Sequence, residues 1–216
     1  MTTSFSTHLR TLADPIWQAQ HAHPFVRGIG DGTVNPEELA GWMQQDYLFL
    51  IEYCRLFGLA AARAPDLATL TRFAELLHTT ATVEMSLHRG YCREFGISLE
   101  DLEREPMAPT TRAYTDFLLR VAALGDFAEL AAALLPCMWG FSEIGQQLLA
   151  AGLPEEPRCR EWIETYADPE FAAIAAWCRD LVDRLATDAS AEQRRQMEEV
   201  FVTSSRYELL FWDVAN

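Results

Sequence analysis

One cysteine of this chain, Cys137, stands where a thiol could act as a nucleophile. It directly follows Pro136 in the apolar stretch Leu134-Leu-Pro-Cys-Met-Trp139. A proline inside a helix removes one backbone hydrogen bond, so we expect a kink that frees the Ala132 carbonyl and turns Cys137 towards a cavity. A reactive thiol also needs a base or a positive dipole to form its thiolate. Most free cysteines are small core residues, so these residues alone favour an inert Cys137.

Two carboxylates interrupt helical faces that are otherwise aromatic or small. The face of Asp46 also carries Trp42, Phe49, Tyr53 and Phe57. The face of Glu208 also carries Phe201, Ser204, Ser205, Phe211 and Trp212. A buried carboxylate needs a partner, and burial raises the pKa of a carboxyl, which suits a general acid. Each carboxylate is therefore either a functional group among aromatic walls or a solvated residue at the edge of its face, and the sequence leaves both interpretations open.

Glu84 and His88 are four residues apart, which is a spacing found in metal sites on helices. Two ligands are too few, and neither an HExxH motif nor a second Glu/His pair is present in the sequence. A structural Glu–His hydrogen bond is the favoured interpretation, and no metal ligand is assigned. The pair nevertheless supports one alternative, a helical metallo-oxidase, which elemental analysis of the purified protein would distinguish.

The composition excludes several classes of partner. The chain has 17 Lys and Arg against 32 Asp and Glu, a net charge of −15, and no basic stripe for nucleic acid. Its longest apolar run, from Phe127 to Met138, contains Glu129 and Pro136 and is too short to span a bilayer. The start, Met1 to Phe5, lacks the pattern of a signal peptide, and the five cysteines have no CxxC spacing. We therefore expect a cytoplasmic protein with free thiols and no nucleic-acid or membrane partner.

Helical periodicity and helix-start signals, such as Asn35-Pro-Glu-Glu38 and Asp168-Pro-Glu170, recur along the chain. Strand signals are nearly absent, so we predict one all-α domain over residues 1–216, a helical bundle. The predicted helices are at about 5–20, 36–63, 66–95, 111–124, 127–151, 159–167, 169–187 and 191–213. The glycine-rich segment 27–33 lacks the Lys-Ser/Thr of a P-loop, and a turn is the favoured interpretation.

Several of these stretches, taken in order and spacing, resemble the TenA / thiaminase II family. The matching pieces are His23 to Thr33, Gln45-Asp46, Glu84 to His88, Ala133 to Trp139, Trp162 to Tyr166, and Ser204 to Glu208 with Phe211-Trp212. They span nearly the whole chain. The resemblance makes Cys137 the favoured nucleophile.

The resemblance implies a haem-oxygenase-like helical fold, a homotetramer, and no metal or organic cofactor. It implies hydrolysis of 4-amino-5-aminomethyl-2-methylpyrimidine to the hydroxymethyl pyrimidine and ammonia, and cleavage of thiamin. By the same resemblance, Cys137 is the nucleophile that adds to the pyrimidine ring, and Glu208 is the acid/base. Asp46 would hold the aminopyrimidine edge, and Tyr114 and Tyr166 would place hydroxyl-bearing rings around the substrate.

This sequence departs from the family pattern at two positions. Phe49 and Phe141 stand where the family usually has tyrosines. Ring stacking is retained at both, but two hydroxyls are lost. Tyr53, one turn beyond Phe49, is our candidate for a replacement hydroxyl. The missing hydroxyls also support a second alternative, a non-catalytic pyrimidine-binding or regulatory protein.

Overall fold

The computed structural model describes residues 4–215, and these residues are almost entirely helical, without a β-strand. Met1 to Thr3 and Asn216 lie outside the described residues. The domain prediction for 1–216 includes all four, and the signal-peptide argument rests partly on Met1 to Thr3. The α-helices of the first half are α1 (Phe5–Leu12), α2 (Asp14–His21), α3 (Pro24–Asp31), α4 (Pro36–Arg63), α5 (Leu67–Thr79) and α6 (Met85–Glu94). Those of the second half are α7 (Leu99–Arg104), α8 (Pro109–Leu124), α9 (Phe127–Ala151), α10 (Pro157–Tyr166), α11 (Pro169–Thr187) and α12 (Ala191–Phe211). A π-helix, Thr80–Glu84, joins α5 to α6. The all-α prediction is confirmed.

The chain divides into two compact units. The first contains the residues up to Asn35 together with Ala131–Trp212, and the second contains Pro36–Leu130 with the last residues after Trp212. The prediction of a single domain over residues 1–216 stays a prediction.

In the second unit, the long helix α4 is the element against which the others pack. It contacts α5, the π-helix, α6, α7 and α8. Its acidic first turn, with Glu37 and Glu38, favours the start of a helix because it complements the helix dipole. At its other end, the Arg63 guanidinium donates to the carbonyls of Ala122 and Gly125. These bonds join the last turn of α4 to the end of α8.

In the first unit, α9 contributes a run of fully buried residues, from Ala131 to Leu135. The helix continues through Pro136 to Ala151, which makes it long and apolar enough to cross a membrane by length and composition. However, 72% of the relevant window is buried inside the protein, as is typical for the core helix of a soluble protein. The expectation that this stretch is too short was therefore wrong about its length, because the proline does not end the helix.

Two short predicted segments differ from the structure, one before a proline and one rich in glycine. The predicted helix 5–20 is two helices, because the chain breaks at Ala13 before Pro15, whose ring lacks an N–H and suits a first turn. The turn predicted for 27–33 is wrong, because most of that segment belongs to α3. His23 caps α3 by accepting from the Phe25 N–H, and Gly32 ends it with a φ of 75°.

The glycines of α3 serve close packing. A Cβ at Gly28 would lie 3.0 Å from the backbone of Val34, and one at Gly30 would lie 2.8 Å from the Leu148 side chain. The glycines of this segment therefore allow close packing of a helix. A prediction from composition alone interprets the same glycines as a turn.

Candidate active site

Cys137 lies half-buried on α9, one residue after the helix proline. The Ser204 hydroxyl of α12 donates a 2.7 Å hydrogen bond to the carbonyl of Ala133. Ala133 is four residues before Cys137, so this carbonyl belongs to the helical turn that carries the thiol. The predicted release of the Ala132 carbonyl stays a prediction, but the neighbouring carbonyl has a side-chain partner from α12.

Glu208 is buried, with 2% of its surface exposed, which contradicts the interpretation of a solvated residue. It lies on α12 one turn beyond Ser204, so the hydrogen bond from Ser204 to α9 also fixes the part of α12 that carries Glu208. A second bond holds the same turn, because the Trp17 indole N–H of α2 donates to the Ser205 hydroxyl at 3.0 Å. In the first unit, the helices carrying the predicted acid and nucleophile are thus joined by a direct hydrogen bond.

Aromatic side chains of the first unit cluster around Phe141, one turn after Cys137. Its ring centroid lies 4.9 Å from that of Tyr166 and 5.3 Å from that of Trp212. Trp162 and Tyr166 of α10 are themselves 4.6 Å apart. The end of α10 approaches so closely that a Cβ at Gly145 would lie 2.5 Å from the Tyr166 carbonyl carbon. A side chain at position 145 would therefore displace the predicted substrate-binding Tyr166.

In the second unit, Asp46 of α4 is buried, with 3% of its surface exposed, and it is paired. Its Oδ2 lies 2.6 Å from Nε2 of His88 on α6. The other ring nitrogen, Nδ1, donates to the Glu84 backbone carbonyl at 2.9 Å. The favoured Glu–His hydrogen bond therefore exists, but it uses the backbone of Glu84, while the carboxylate that His88 contacts is Asp46.

The predicted ring-stacking residues of the second unit also lie together. Phe49 is 5.3 Å from Tyr53 and 5.1 Å from Tyr114, measured between ring centroids. Tyr53 stacks on Phe49 at 25° between ring planes, so its hydroxyl belongs to the same aromatic group as the position where a tyrosine is missing.

Gln45, next to Asp46, holds the start of the helix that carries Tyr114. Its amide nitrogen donates to the Pro106 carbonyl at 3.1 Å. Its amide oxygen accepts from the Ala108 N–H and the Thr111 hydroxyl, each at 2.8 Å. A role in positioning Tyr114 was not predicted, although the adjacency of Gln45 to Asp46 in the sequence was a signal.

Three other cysteines are poor candidates for a nucleophile. Burial raises the pKa of the Cys54 and Cys92 thiols to about 11, and burial together with Glu156 raises the pKa of Cys159 to about 12. Thiolate fractions at neutral pH are correspondingly small. Cys178 is buried on α11. Among the five thiols, these properties favour Cys137.

Both nitrogens of His88 are engaged in hydrogen bonds, so the Glu84/His88 pair does not present a free imidazole to a metal. Within residues 4–215, no group of three or more His, Cys, Asp or Glu side chains has the arrangement of a metal site. The geometry therefore gives the metallo-oxidase alternative no support beyond the sequence spacing.

Known proteins similar to this chain cover almost its full length. An aminopyrimidine aminohydrolase of Halalkalibacterium halodurans is 45% identical over 98% of this chain and 95% of its own. The crystal structure of a TenA family transcription regulator from Silicibacter sp. TM1040 superposes with a TM-score of 0.90 at 31% identity, covering 97% of this chain and 95% of that one.

A more distant structure establishes the type of fold. A domain of unknown function with a heme oxygenase-like fold, from Shewanella denitrificans, has a TM-score of 0.75 at 15% identity and covers 97% of this chain and 90% of its own. The predicted haem-oxygenase-like architecture is thereby confirmed. The model of the TENA/THI-4/PQQC family matches residues 11–216. This chain therefore belongs to the TENA/THI-4/PQQC family.

Proposed function

We propose that this protein hydrolyses 4-amino-5-aminomethyl-2-methylpyrimidine with water to the hydroxymethyl pyrimidine and ammonia, in thiamin salvage, and that thiamin is a weaker substrate. The observation that carries the proposal is the 45% identity, over 98% of the chain, to a protein named aminopyrimidine aminohydrolase. A C–N bond of the exocyclic methylene breaks, and a C–O bond from water replaces it.

The proposed mechanism uses Cys137 as the nucleophile. Its thiolate adds to the pyrimidine ring and turns the ring into an enamine, which expels ammonia from the methylene carbon. Water then adds to that carbon, and the thiolate leaves. Glu208 delivers and removes the protons of the ring and of the leaving group, and its support is a buried carboxyl on the helix that is hydrogen-bonded to α9.

The remaining predicted residues bind the substrate. Asp46 holds the aminopyrimidine edge, and flat rings stack against the heterocycle. The proposed stacking residues are Phe49, Tyr53, Tyr114, Phe141 and Tyr166. Their clustering within each unit supports this, because a flat heteroaromatic ligand requires aromatic walls with a few placed polar groups.

We further propose a homotetramer in the cytoplasm. The support is the family resemblance for assembly, and the acidic, free-thiol composition for location. Size-exclusion chromatography with light scattering measures the oligomeric state.

The decisive test is Cys137→Ala, assayed with the aminomethyl pyrimidine, its formyl derivative and thiamin. We expect turnover to fall on the order of 10³-fold or more while pyrimidine binding persists, because the covalent step is lost. Cys54→Ala is the matched control, since its thiol has a pKa of about 11 and should leave turnover unchanged. Continued hydrolysis by Cys137→Ala would disprove the nucleophile assignment.

A non-catalytic regulatory role is the second candidate, because the similar Silicibacter protein is named a transcription regulator. The same assay separates the two. Tight pyrimidine binding by the unaltered protein without release of ammonia would favour the regulator.

A further inference from the structure

The hydrogen bonds of His88 require a single proton between its Nε2 atom and the Asp46 carboxylate. A backbone carbonyl can only accept, so Nδ1 of His88 must donate to the Glu84 carbonyl at 2.9 Å. Nε2 lies 2.6 Å from Oδ2 of Asp46, and such a contact requires one proton between the two atoms. The pair is therefore either imidazolium with carboxylate or imidazole with carboxylic acid.

The charges around the pair favour the first form. Burial alone would lower the pKa of His88, but the hydrogen bond and negative charge of Asp46 outweigh burial and raise it, with a smaller contribution from Glu84. Burial raises the pKa of Glu84 itself, so Asp46 is the main charged partner of the imidazole. The other ionisable neighbours are Cys92 on α6, which interacts with Asp46, and Cys54 on α4, which interacts with Glu84. Burial raises the pKa of both thiols, which leaves them uncharged at neutral pH.

The second carboxylate oxygen of Asp46 has a different environment. Within residues 4–215, Oδ1 makes no hydrogen bond, whereas Oδ2 is taken by His88. Such an oxygen is an acceptor when the carboxyl is ionised and can be a donor when it is protonated. The protonation state of Asp46 therefore determines which group of a ligand Oδ1 can bind.

The residues next to Asp46 and His88 make further contacts between α4 and α6. Arg89 follows His88 and Tyr47 follows Asp46, and the Arg89 guanidinium lies 5.8 Å from the centre of the Tyr47 ring. The π-helix ends at Glu84, whose carbonyl orients the imidazole. The Asp46 carboxylate and the Glu84 carbonyl thus hold the imidazole at its two nitrogens. A side chain that orients another group must itself be fixed in this way.

We propose that His88 is a specificity-determining positioning residue, which keeps Asp46 ionised so that Oδ1 only accepts and selects a 4-aminopyrimidine over its 4-oxo counterpart. The inference rests on the proposed function, in which Asp46 holds the aminopyrimidine edge. A 4-amino group donates to a carboxylate, whereas a 4-oxo group at the same position offers no donor and would face a second acceptor.

His88→Gln is the direct test, because a glutamine amide can still donate to Oδ2 but carries no charge. The buried carboxyl of Asp46 would then lose the positive charge that faces it. We expect KM for the 4-amino substrate to rise about tenfold, and inhibition by the 4-oxo analogue to strengthen about tenfold, more at pH 5.5 than at pH 8. Arg89→Gln, the neighbouring change on the same helix, should leave the ratio of the two affinities unchanged.

The outcomes separate the two proposals. If the unaltered protein neither binds nor hydrolyses the 4-amino substrate, the proposed function fails. If it does both, but His88→Gln retains the same preference between amino and oxo ligands, only the role of His88 is overturned.

A measurement on the unaltered protein keeps the inference testable even where His88→Gln does not fold. The chain has five histidines, and ¹⁵N spectra of their rings report protonation at each nitrogen. We expect one histidine with both nitrogens protonated at pH 8, well above the ordinary pKa of the ring. Five histidines that each carry a bare nitrogen at this pH would overturn the assignment.

Discussion

At the scale of single residues, the two carboxylates on apolar faces are both buried, and Asp46 is paired with His88. Spacing alone left each open between a solvated and a functional position. A solvated carboxylate keeps its hydration, whereas a buried one requires compensating partners. For Asp46 that partner is more than 40 residues away in sequence. For this reason the pairing could not be predicted from the local pattern.

Tyr53 provides a prediction at the same scale. Its ring stacks on Phe49, where the family pattern has a tyrosine hydroxyl. If Tyr53 supplies a substitute hydroxyl to assist Cys137, Tyr53→Phe should lower kcat about tenfold and raise the apparent pKa of the thiol, since one hydrogen bond to the reacting groups is lost. The pH dependence of thiol alkylation, with Cys137→Ala as the blank, measures this. Unchanged kcat and thiol pKa would end the substitution hypothesis.

At the scale of helices, the Ser204–Ala133 bond sets how α12 lies along α9. Hydrophobic contacts alone are non-directional, so a buried hydrogen bond can define one register among several of similar packing. The turn held in this way carries Glu208 on one helix and precedes Cys137 on the other. Ser204 is thus a positioning residue for the proposed acid and nucleophile.

Ser204→Ala should therefore affect both stability and catalysis. Losing this bond is expected to cost about 1–2 kcal/mol of unfolding free energy, because the Ala133 carbonyl loses a buried partner. Kcat should fall about tenfold while KM for the pyrimidine stays constant, because misplacement affects the reaction more than ground-state binding. Thr203→Ala, the preceding residue on α12, is the control. A lower melting temperature with unchanged kcat would assign Ser204 a purely structural role.

At the scale of the whole molecule, the net charge of −15 means that carboxylates repel one another, and a facing cation relieves that repulsion. Glu143 of α9 is such a case. It accepts from Arg10 of α1 at 2.8 Å and contacts His21 of α2 at 3.0 Å. Burial would raise the pKa of Glu143, but these two partners outweigh it and lower the pKa to about 2. The pair links the start of the chain to the central helix of the first unit.

Acid stability follows from this cluster. A carboxyl whose pKa is lowered by folding contributes stability that is complete above its ordinary pKa of 4.5 and is lost as the pH falls towards 2. Glu143→Gln should cost about 2 kcal/mol at pH 7, less than full linkage because the side chain is 30% exposed. The difference from the unaltered protein should vanish near pH 2 in urea unfolding. Glu192→Gln, in an exposed pair with Arg195, should show little difference at any pH.

Much of the fold was predictable, because periodicity and capping signals are local. The predicted bounds of α4 and α9 match the structure. Errors arose where a residue type has two physical uses, as with the glycines of α3. The positions of Cys137, Glu208 and Asp46 followed from pattern and resemblance, but the contacts of Gln45, His88 and Ser204 depend on tertiary packing that no local signal reports.

The π-helical conformation of Thr80–Glu84 determines which side chains of the following helix face α4. A π-turn holds one residue more than an α-turn over nearly the same distance, so it rotates everything beyond it by about 100° around the axis. Both α5 and α6 contact α4, on either side of this rotation. Loss of one residue from this segment would restore a regular α-helix and leave His88 at its present azimuth, because the π-turn accommodates one extra residue. Loss of one residue between the π-helix and His88 would instead bring Arg89 to that azimuth and place a guanidinium opposite Asp46.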